Sequence, residues 1–380
     1  MSELPFYTYY IALGSNLGNT FQNLQEAVNH IFTEIGATAK ISMVYSSSAM
    51  GFEGEDFNNA VLELKSKELP QDVLRLLLAI ETKMGRKRAE DLGYTSRIID
   101  LDILYCDALR IDTDNLQIPH PEIPNRRFVL EPLLDIAPGF LHPILKKSTK
   151  QLLDSTSDTS VLTQLKETLR NPIKEYSIQD LSYLVIEGNI GAGKTSLSMQ
   201  IAEEFGGKLI LERFKDNPFL PKFYKDASRY AFPLEMSFLA DRYQQFLDDI
   251  RQLDLFSDFV VADYDIYKSL IFAEVTLQAE EFDLYKKLFN LMYKDISRPD
   301  LYVYLYQNTD RLLQNIKKRG RSYEQDIQAD YLKRINQGYL EFIKNQSTHR
   351  NVKIIDVSDL DFVAHRADYL QLLSELVVKR

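Results

Sequence analysis

The sequence predicts two consecutive folds: an α+β unit of ferredoxin-like type, then an α/β unit built on a five-stranded parallel sheet. Three observations carry this. In the first half several short strands at hairpin-length spacings surround two helical patterns. The second half alternates five near-continuous apolar, β-rich runs with helices, as a parallel sheet covered on both faces requires. At its head stands Leu184-Val-Ile-Glu-Gly188-Asn-Ile-Gly191-Ala-Gly193-Lys194-Thr195, which reads as strand, Gly-rich loop and helix start.

In chain order, strands are expected over 9–13, 41–45, 60–64 and 98–105, with helices over 24–35 and 70–84. Residues 146–182 form the joint. They hold Ser155-Thr-Ser-Asp-Thr-Ser160, an amphipathic piece at 162–169 and Asn171-Pro172, a polar, turn-rich composition that marks a linker with one docked helix. Domains of 1–150 and 182–380 with a linker at 151–181 follow. Beyond it, strands are expected over 184–187, 208–211, 259–262, 301–306 and 352–357, and ligands belong at their carboxyl ends.

Composition narrows the function. The 380 residues are 45% hydrophobic and 26% charged, as in ordinary globular protein, and the net charge of −10 argues against a nucleic-acid or membrane-surface binder. The single cysteine, Cys106, forms no internal disulfide and leaves no Cys-rich zinc site. No secretory leader pattern and no apolar run of about 20 residues is present, so the expected location is the cytoplasm.

The loop at 188–195 is a nucleotide-phosphate cradle. Backbone N–H groups of Gly188, Asn189, Gly191, Ala192 and Gly193 wrap phosphate oxygens, Lys194 reaches the outer phosphates and Thr195 a Mg²⁺ ion. In the first half, period-2 alternation puts Asp100 and Asp102 on one strand face and Ile99, Leu101 and Ile103 on the other. Two like charges so placed call for a cation between them, and Mg²⁺ suits a few carboxylates plus phosphate oxygens. Taken alone, the pair equally suits a solvated edge. Arg86, Lys87, Arg88 and Arg97 before it, with His120, Arg126 and Arg127 after it, turn it toward a metal–triphosphate site.

On these residues the first half, over about 7–150, resembles the hydroxymethyl-dihydropterin pyrophosphokinases. The matching signatures are Gly14-Ser15-Asn16-Leu17, Asn59-Ala60 after Phe57, Arg97-x-x-Asp100-Leu-Asp102-Ile, and Pro119-His120 followed by Asn125-Arg126-x-Phe128. The resemblance implies transfer of pyrophosphate from ATP to a pterin alcohol. Asp100 and Asp102 would then hold two Mg²⁺ ions, and Arg86, Arg88, Arg97, His120 and Arg126 would grip ATP, Arg86 and Arg97 acting in catalysis. Met50, Phe57, Asn59 and Phe128 would hold the pterin. Phe57 replaces a frequent Tyr, and the stretch 86–97 is longer than in some members and lacks their Trp.

Over about 183–360 the second half resembles the deoxyribonucleoside kinases. No guanine-reading Asn-Lys-x-Asp follows strand 301–306, and Lys317-Lys-Arg319-Gly-Arg321, expected to open a helix, has the character of a basic lid. The resemblance implies that Glu212 activates the 5′-hydroxyl, that Arg319 and Arg321 act on the transferring phosphoryl group, and that Tyr224 with Glu324 binds the sugar. Glu235 and Arg242 would face the base; an ionised Glu235 only accepts hydrogen bonds, which favours purines. The family's acidic-Arg-Ser motif is here Asp263-Tyr264-Asp265, without the arginine. Such kinases are often dimers, so a homodimer through this domain is an open expectation. Two rivals stand beside this reading, a nucleotide-sensing regulatory module and a nucleoside monophosphate kinase.

Overall fold

A computed structural model describes residues 6–49, 54–86, 96–213, 217–256, 259–293, 298–346 and 351–376. The chain divides into two compact units, Ser2–Tyr176 and Ser177–Arg380.

The first unit runs β1 (Tyr7–Ser15), α1 (Thr20–Glu34), β2 (Ala37–Ile41), β3 (Tyr45–Ser47), β4 (Phe57–Ser66), α2 (Pro70–Lys83), β5 (Asp100–Cys106), β6 (Ile111–Thr113), β7 (Leu116–Ile118), α3 (Arg127–Ile136), α4 (Thr149–Ser155) and β8 (Thr163–Gln164). The main sheet has the order β5-β1-β4-β3-β8, with β2 also on β4, and its pairings are antiparallel. Asn19 caps α1 by accepting from the Gln22 N–H, and Pro70 starts α2 where its missing N–H costs nothing. Alternation along β1 sorts the core. Tyr9, Ile11 and Leu13 join Leu24, Val28, Leu77 and Ile80 of the two helices, while Tyr10 packs with Leu130, Leu133 and Ile136 of α3.

Two expectations are corrected here, and a helix that the sequence did not suggest is added. The strand expected over 41–45 is two strands, β2 and β3. Between them the Ser42 hydroxyl takes the Val61 N–H at 2.9 Å, and the chain rejoins β4 further along. Helix α3 was not legible because Pro132 lies inside it, a cost of about 3 kcal/mol that burial of Val129, Leu130, Leu133 and Ile136 offsets. The stretch expected as a linker is largely part of the first unit. Its amphipathic piece holds β8, which pairs with β3, and the Arg170 N–H donates to Gln25 at 2.8 Å. The Asn171 side chain donates to the Thr38 carbonyl at 2.7 Å. A segment whose polar groups find fixed partners on β2, β3 and α1 does not behave as a tether.

The second unit runs β9 (Tyr183–Gly188), α5 (Lys194–Phe205), β10 (Lys208–Ile210), α6 (Leu220–Phe223), α7 (Ala227–Phe256), β11 (Val260–Ala262), α8 (Lys268–Thr276), α9 (Ala279–Met292), β12 (Leu301–Tyr306), α10 (Thr309–Arg319), α11 (Ala329–Gln346), β13 (Val352–Asp356) and α12 (Arg366–Leu376). All five strands are parallel in the order β10-β11-β9-β12-β13, matching the five expected runs to within a residue or two. Strand β9 is central, and its neighbours β11 and β12 depart to opposite sides, which opens a crevice at its carboxyl end. Among the described residues no helix is long and apolar enough to cross a membrane.

Lys317, Lys318 and Arg319 close α10 rather than opening a helix, and Gly320 caps it in the left-handed conformation at φ 73°. Cations complement the exposed carbonyls of a last turn, so this run is a helix C-terminus as well as a basic cluster.

Candidate active sites

In the first unit the register of three strands builds the site floor. Gly14 of β1 lies opposite Asn59 of β4 on one side and opposite Asp100 of β5 on the other. A side chain at Gly14 would fill this row, since its Cβ would lie 3.6 Å from Asn59 Oδ1 and 3.9 Å from Asp100 Cβ. The rest of the Gly-Ser-Asn motif anchors the basic loop. Ser15 Oγ donates to the Ile98 carbonyl at 2.5 Å, and Asn16 Oδ1 accepts from the Arg97 N–H at 2.7 Å.

Asp100 is bridged by two of the expected arginines, Arg86 Nη1 at 2.5 Å and Arg97 Nη1 at 2.9 Å. Arg86 also meets Glu81, a buried carboxylate that sequence reasoning missed; Glu81 accepts from the Leu101 N–H at 2.9 Å and so ties the arginine to β5. Its position, five residues before Arg86 on the inner face of a helix, reads as an ordinary amphipathic residue. For Arg86, burial opposes the charge, but Asp100 and Glu81 outweigh it and raise the pKa. Asp102 is pushed up by burial and by Asp100, while the charges of His120, Arg126 and Arg97 pull it down. Burial pushes His120 down, with Arg126 adding to the effect.

Arg97 lies over the Phe57 ring at 5.6 Å and Arg126 over the Phe128 ring at 5.8 Å. Asn59 is held by Ser47 Oγ at 3.0 Å. A cavity of about 610 Å³ lies beside Asp102 and His120, walled by the β6–β7 hairpin from Asp112 to Gln117. Met50 and Arg88 lie outside the described residues.

In the second unit the glycine-rich loop joins β9 to α5. The Asn189 side chain donates to the Leu332 carbonyl and to Asn336 Oδ1, both at 2.7 Å, which fixes the loop on α11. Gly188 and buried Ala192 pack against each other, since a Cβ on Gly188 would lie 3.1 Å from Ala192 Cβ. Gly191 and Gly193 both sit at φ 87°. A Cβ on Gly193 would lie 2.6 Å from Phe362 Cζ, in a backbone region that costs L-residues about 1–2 kcal/mol. Gly193→Ala is therefore expected to lower the second unit's thermal stability and cut its phosphoryl transfer at least about tenfold. Differential scanning fluorimetry and turnover of the first unit in the same sample check this; unchanged values in the second unit would contradict the packing at Phe362.

Lys194 donates to the Asn189 carbonyl at 3.0 Å, and its pKa is pushed down to about 8 by burial and then by Lys268. Thr195 Oγ1 donates to Asp263 Oδ2 at 2.5 Å, and Asp263 Oδ1 accepts the Glu212 N–H at 2.7 Å. Glu212 is gripped from both sides, by Arg242 at 2.6 and 2.8 Å and by Lys268 at 2.6 Å. Burial alone would raise its pKa, but Lys268 and Arg242 hold it well below the carboxylate range. Arg242 also donates to Ser269 Oγ at 2.7 Å, so it serves the carboxylate and α8 where the resemblance implied a base contact.

Glu235 is buried. One oxygen accepts from Thr276 Oγ1 at 3.2 Å and the other has no hydrogen-bond partner among the described residues. Burial pushes its pKa up to about 7. Buried Glu324 accepts from Arg319 and, at 3.2 Å, from Arg321, so the expected lid arginines and sugar-site glutamate are already joined. Tyr224 stacks on Tyr323 at 6.5 Å, and its hydroxyl pKa is raised by burial and by Glu324.

Known proteins match both halves. The family described as deoxynucleoside kinase matches residues 184–378, and that described as 7,8-dihydro-6-hydroxymethylpterin-pyrophosphokinase matches 10–138. A deoxyguanosine kinase of Bacillus subtilis (strain 168) is 36% identical over 202 residues, covering 52% of this chain and 98% of that protein. A deoxyadenosine kinase of Lactobacillus acidophilus is 31% identical over 210 residues, 52% of this chain and 95% of that one. A 2-amino-4-hydroxy-6-hydroxymethyldihydropteridine pyrophosphokinase of Aquifex aeolicus (strain VF5) is 40% identical over 147 residues, 38% of this chain and 89% of that one. The chain therefore belongs to two families at once, the hydroxymethylpterin pyrophosphokinases through its first unit and the deoxynucleoside kinases through its second.

Proposed function

We propose that this bifunctional, ATP-dependent enzyme moves pyrophosphate from ATP to 6-hydroxymethyl-7,8-dihydropterin in a first domain of ferredoxin-like topology, and phosphorylates the 5′-hydroxyl of purine deoxyribonucleosides in a second. The order β1-α1-β2-β3-β4-α2-β5, in which β2 and β3 pair in turn with the same strand β4, supports the topology. The observation that carries the pairing is the presence, in one chain, of the Asp100–Asp102 face ringed by arginines and of Glu212 clamped beside a phosphate loop.

Mg²⁺ fits both sites. Asp102 is a carboxyl crowded by Asp100, whose repulsion a divalent cation relieves. Among the described residues no group of three or more acidic, histidine or cysteine side chains is placed to hold a metal ion by itself, so triphosphate oxygens would complete the shell. In the second unit Thr195 would hold the ion. In both sites the metal would neutralise phosphate charge. Arg86, Arg97, His120 and Arg126 would bind the triphosphate, with Phe57, Asn59 and Phe128 on the pterin. Glu212 would orient the nucleoside hydroxyl and accept its proton, Tyr224 and Glu324 would bind the sugar, and Arg319 and Arg321 would shift to the phosphoryl group. A monophosphate-kinase reading is disfavoured because Arg242, the buried arginine beside Glu212, is spent on Glu212 and Ser269. A screen of radiolabelled phosphate transfer to the four deoxynucleosides and the pterin alcohol is expected to label purine nucleosides and pterin; a clear preference for thymidine would overturn the purine assignment.

Glu235 adds a pH signature. Ionised, it meets the two donors of guanine, N1–H and the 2-amino group; protonated, it donates to adenine N1 and accepts from its 6-amino group. Arg242 and Lys268 face it as cations, Glu212 as an anion, and Tyr224, Tyr285 and Tyr331 as phenols. Because its pKa is raised to about 7, the proton is held at pH 6 and lost by pH 8. The ratio of kcat/KM for deoxyguanosine over deoxyadenosine is expected to rise about tenfold across that interval. Glu235→Gln should flatten the ratio, and a wild-type ratio independent of pH would remove Glu235 from base recognition.

A further inference from the structure

Lys268 lies outside every motif the sequence presents. It is the first residue of α8, it is buried, and its Nζ donates to Glu212 Oε2 at 2.6 Å. The opposite oxygen of Glu212 belongs to Arg242. The two cations are not equivalent. Each lies over a ring, Arg242 over Phe238 at 4.9 Å and Lys268 over Phe272 at 5.5 Å, but Arg242 is also tied down by Ser269 Oγ at 2.7 Å. Lys268 has Glu212 as its one hydrogen-bonding side chain among the described residues, and its charge is felt by Lys194, Glu187 and Asp263, the groups that surround the phosphate end of the site.

Burying a second ammonium group close to the phosphate-loop lysine is unfavourable unless anions share the space. Glu212 is one such anion, and a phosphate bound in the loop would be the other. Meanwhile Tyr264, in the Asp263-Tyr264-Asp265 stretch, is packed in the hydrophobic core with Val185, Ile335 and Tyr339, so that stretch supplies no cation.

Resting on the reading of Glu212 as the group that receives the 5′-hydroxyl proton, we propose that Lys268 is a positioning residue for phosphoryl transfer. It aims one Glu212 oxygen at the acceptor and bridges that carboxylate to the transferring phosphate. The proton passes from the hydroxyl to Glu212 as the new O–P bond forms and the bond to the ADP oxygen breaks; Lys268 keeps its own three protons throughout.

The test uses the full chain. Lys268→Met keeps the aliphatic stem and removes the charge, Lys268→Arg keeps the charge, and Glu212→Gln is measured beside them. Pterin pyrophosphorylation in each sample reports the amount of active chain, and thermal unfolding reports folding. Lys268→Met is expected to lower kcat for deoxynucleoside by about 10²-fold while its KM changes by less than about threefold, and Lys268→Arg to recover most of kcat. Added to Glu212→Gln, Lys268→Met should cost little more, because the lysine acts through the glutamate. A Lys268→Met enzyme within about threefold of wild-type kcat overturns the proposal while leaving the Glu212 assignment standing if Glu212→Gln is slow. Equal losses in the Met and Arg variants with a lowered unfolding temperature overturn it in favour of a purely structural ion pair. A Glu212→Gln enzyme of normal kcat overturns the base reading itself, and the proposal with it.

Discussion

Asp102→Ala is expected to abolish pyrophosphoryl transfer while leaving deoxynucleoside phosphorylation intact. Burial and Asp100 raise the pKa of Asp102 while His120, Arg126 and Arg97 lower it, so its carboxyl feels both the acidic and the basic groups of that site. Arg86 and Arg97 already occupy Asp100, so in the proposed metal site Asp102 is the carboxylate from which a Mg²⁺ ion would gain most. Losing several kcal/mol of charge neutralisation at the triphosphate corresponds to a rate drop of about 10³-fold or more. Pterin affinity measured by calorimetry without ATP should stay close to wild type, because Asn59, Phe57 and Phe128 are untouched. Asp102→Asn separates charge from shape and should be nearly as slow as the alanine variant. Pterin turnover near the wild-type rate in either variant would refute the metal assignment. The nucleoside kinase activity of the same sample guards against a trivial loss of protein, since the two units are separately compact.

Glu212→Gln is expected to lower kcat for nucleoside phosphorylation by roughly 10²–10⁴ while the nucleoside KM changes far less. The structure refines the reason. Lys268 and Arg242 hold Glu212 below the ordinary carboxylate range, so as the proposed base it would be a weak proton acceptor at rest and would take the proton late, as the hydroxyl oxygen bonds to phosphorus and its proton becomes acidic. Its main task is then orientation. Glutamine removes the charge from between two buried cations, and breaking a buried pair costs about 3–5 kcal/mol of stability. Glu212→Asp is the necessary companion, because it keeps the charge and shortens the reach; it should fold like wild type and still lose most of kcat. A Glu212→Asp enzyme of full activity would show that carboxylate position does not matter and would move the base elsewhere, with Asp263 the next candidate.

The two chemistries were legible because their signatures are local. A phosphate loop is a run of consecutive residues whose backbone conformation its own glycines allow, and the acid pair follows from strand alternation alone. The five parallel strands were equally legible, since strands buried on both faces must be apolar throughout. Elements that depend on contacts between distant parts of the chain were not. Helix α3 exists despite Pro132 because a sheet face needs covering, and residues 163–173 read as linker until their partners on β3 and at Gln25 and Thr38 are known. Boundaries moved for the same reason, as hydrogen bonds to Val61 split one expected strand into two.

The sites divide along the same line. The sequence by itself determined which groups carry charge and which loop has the backbone freedom a phosphate cradle needs, because residue type settles acidity, reach and backbone freedom. Only the tertiary structure decided how those charges are matched. Glu81 beneath Arg86, Lys268 on Glu212 and Arg242 drawn from the base toward the same carboxylate are choices between several available partners. Burial makes such choices decisive: away from water an ionised group must find a counter-charge, and which one lies within 3 Å depends on packing between elements that are far apart in sequence.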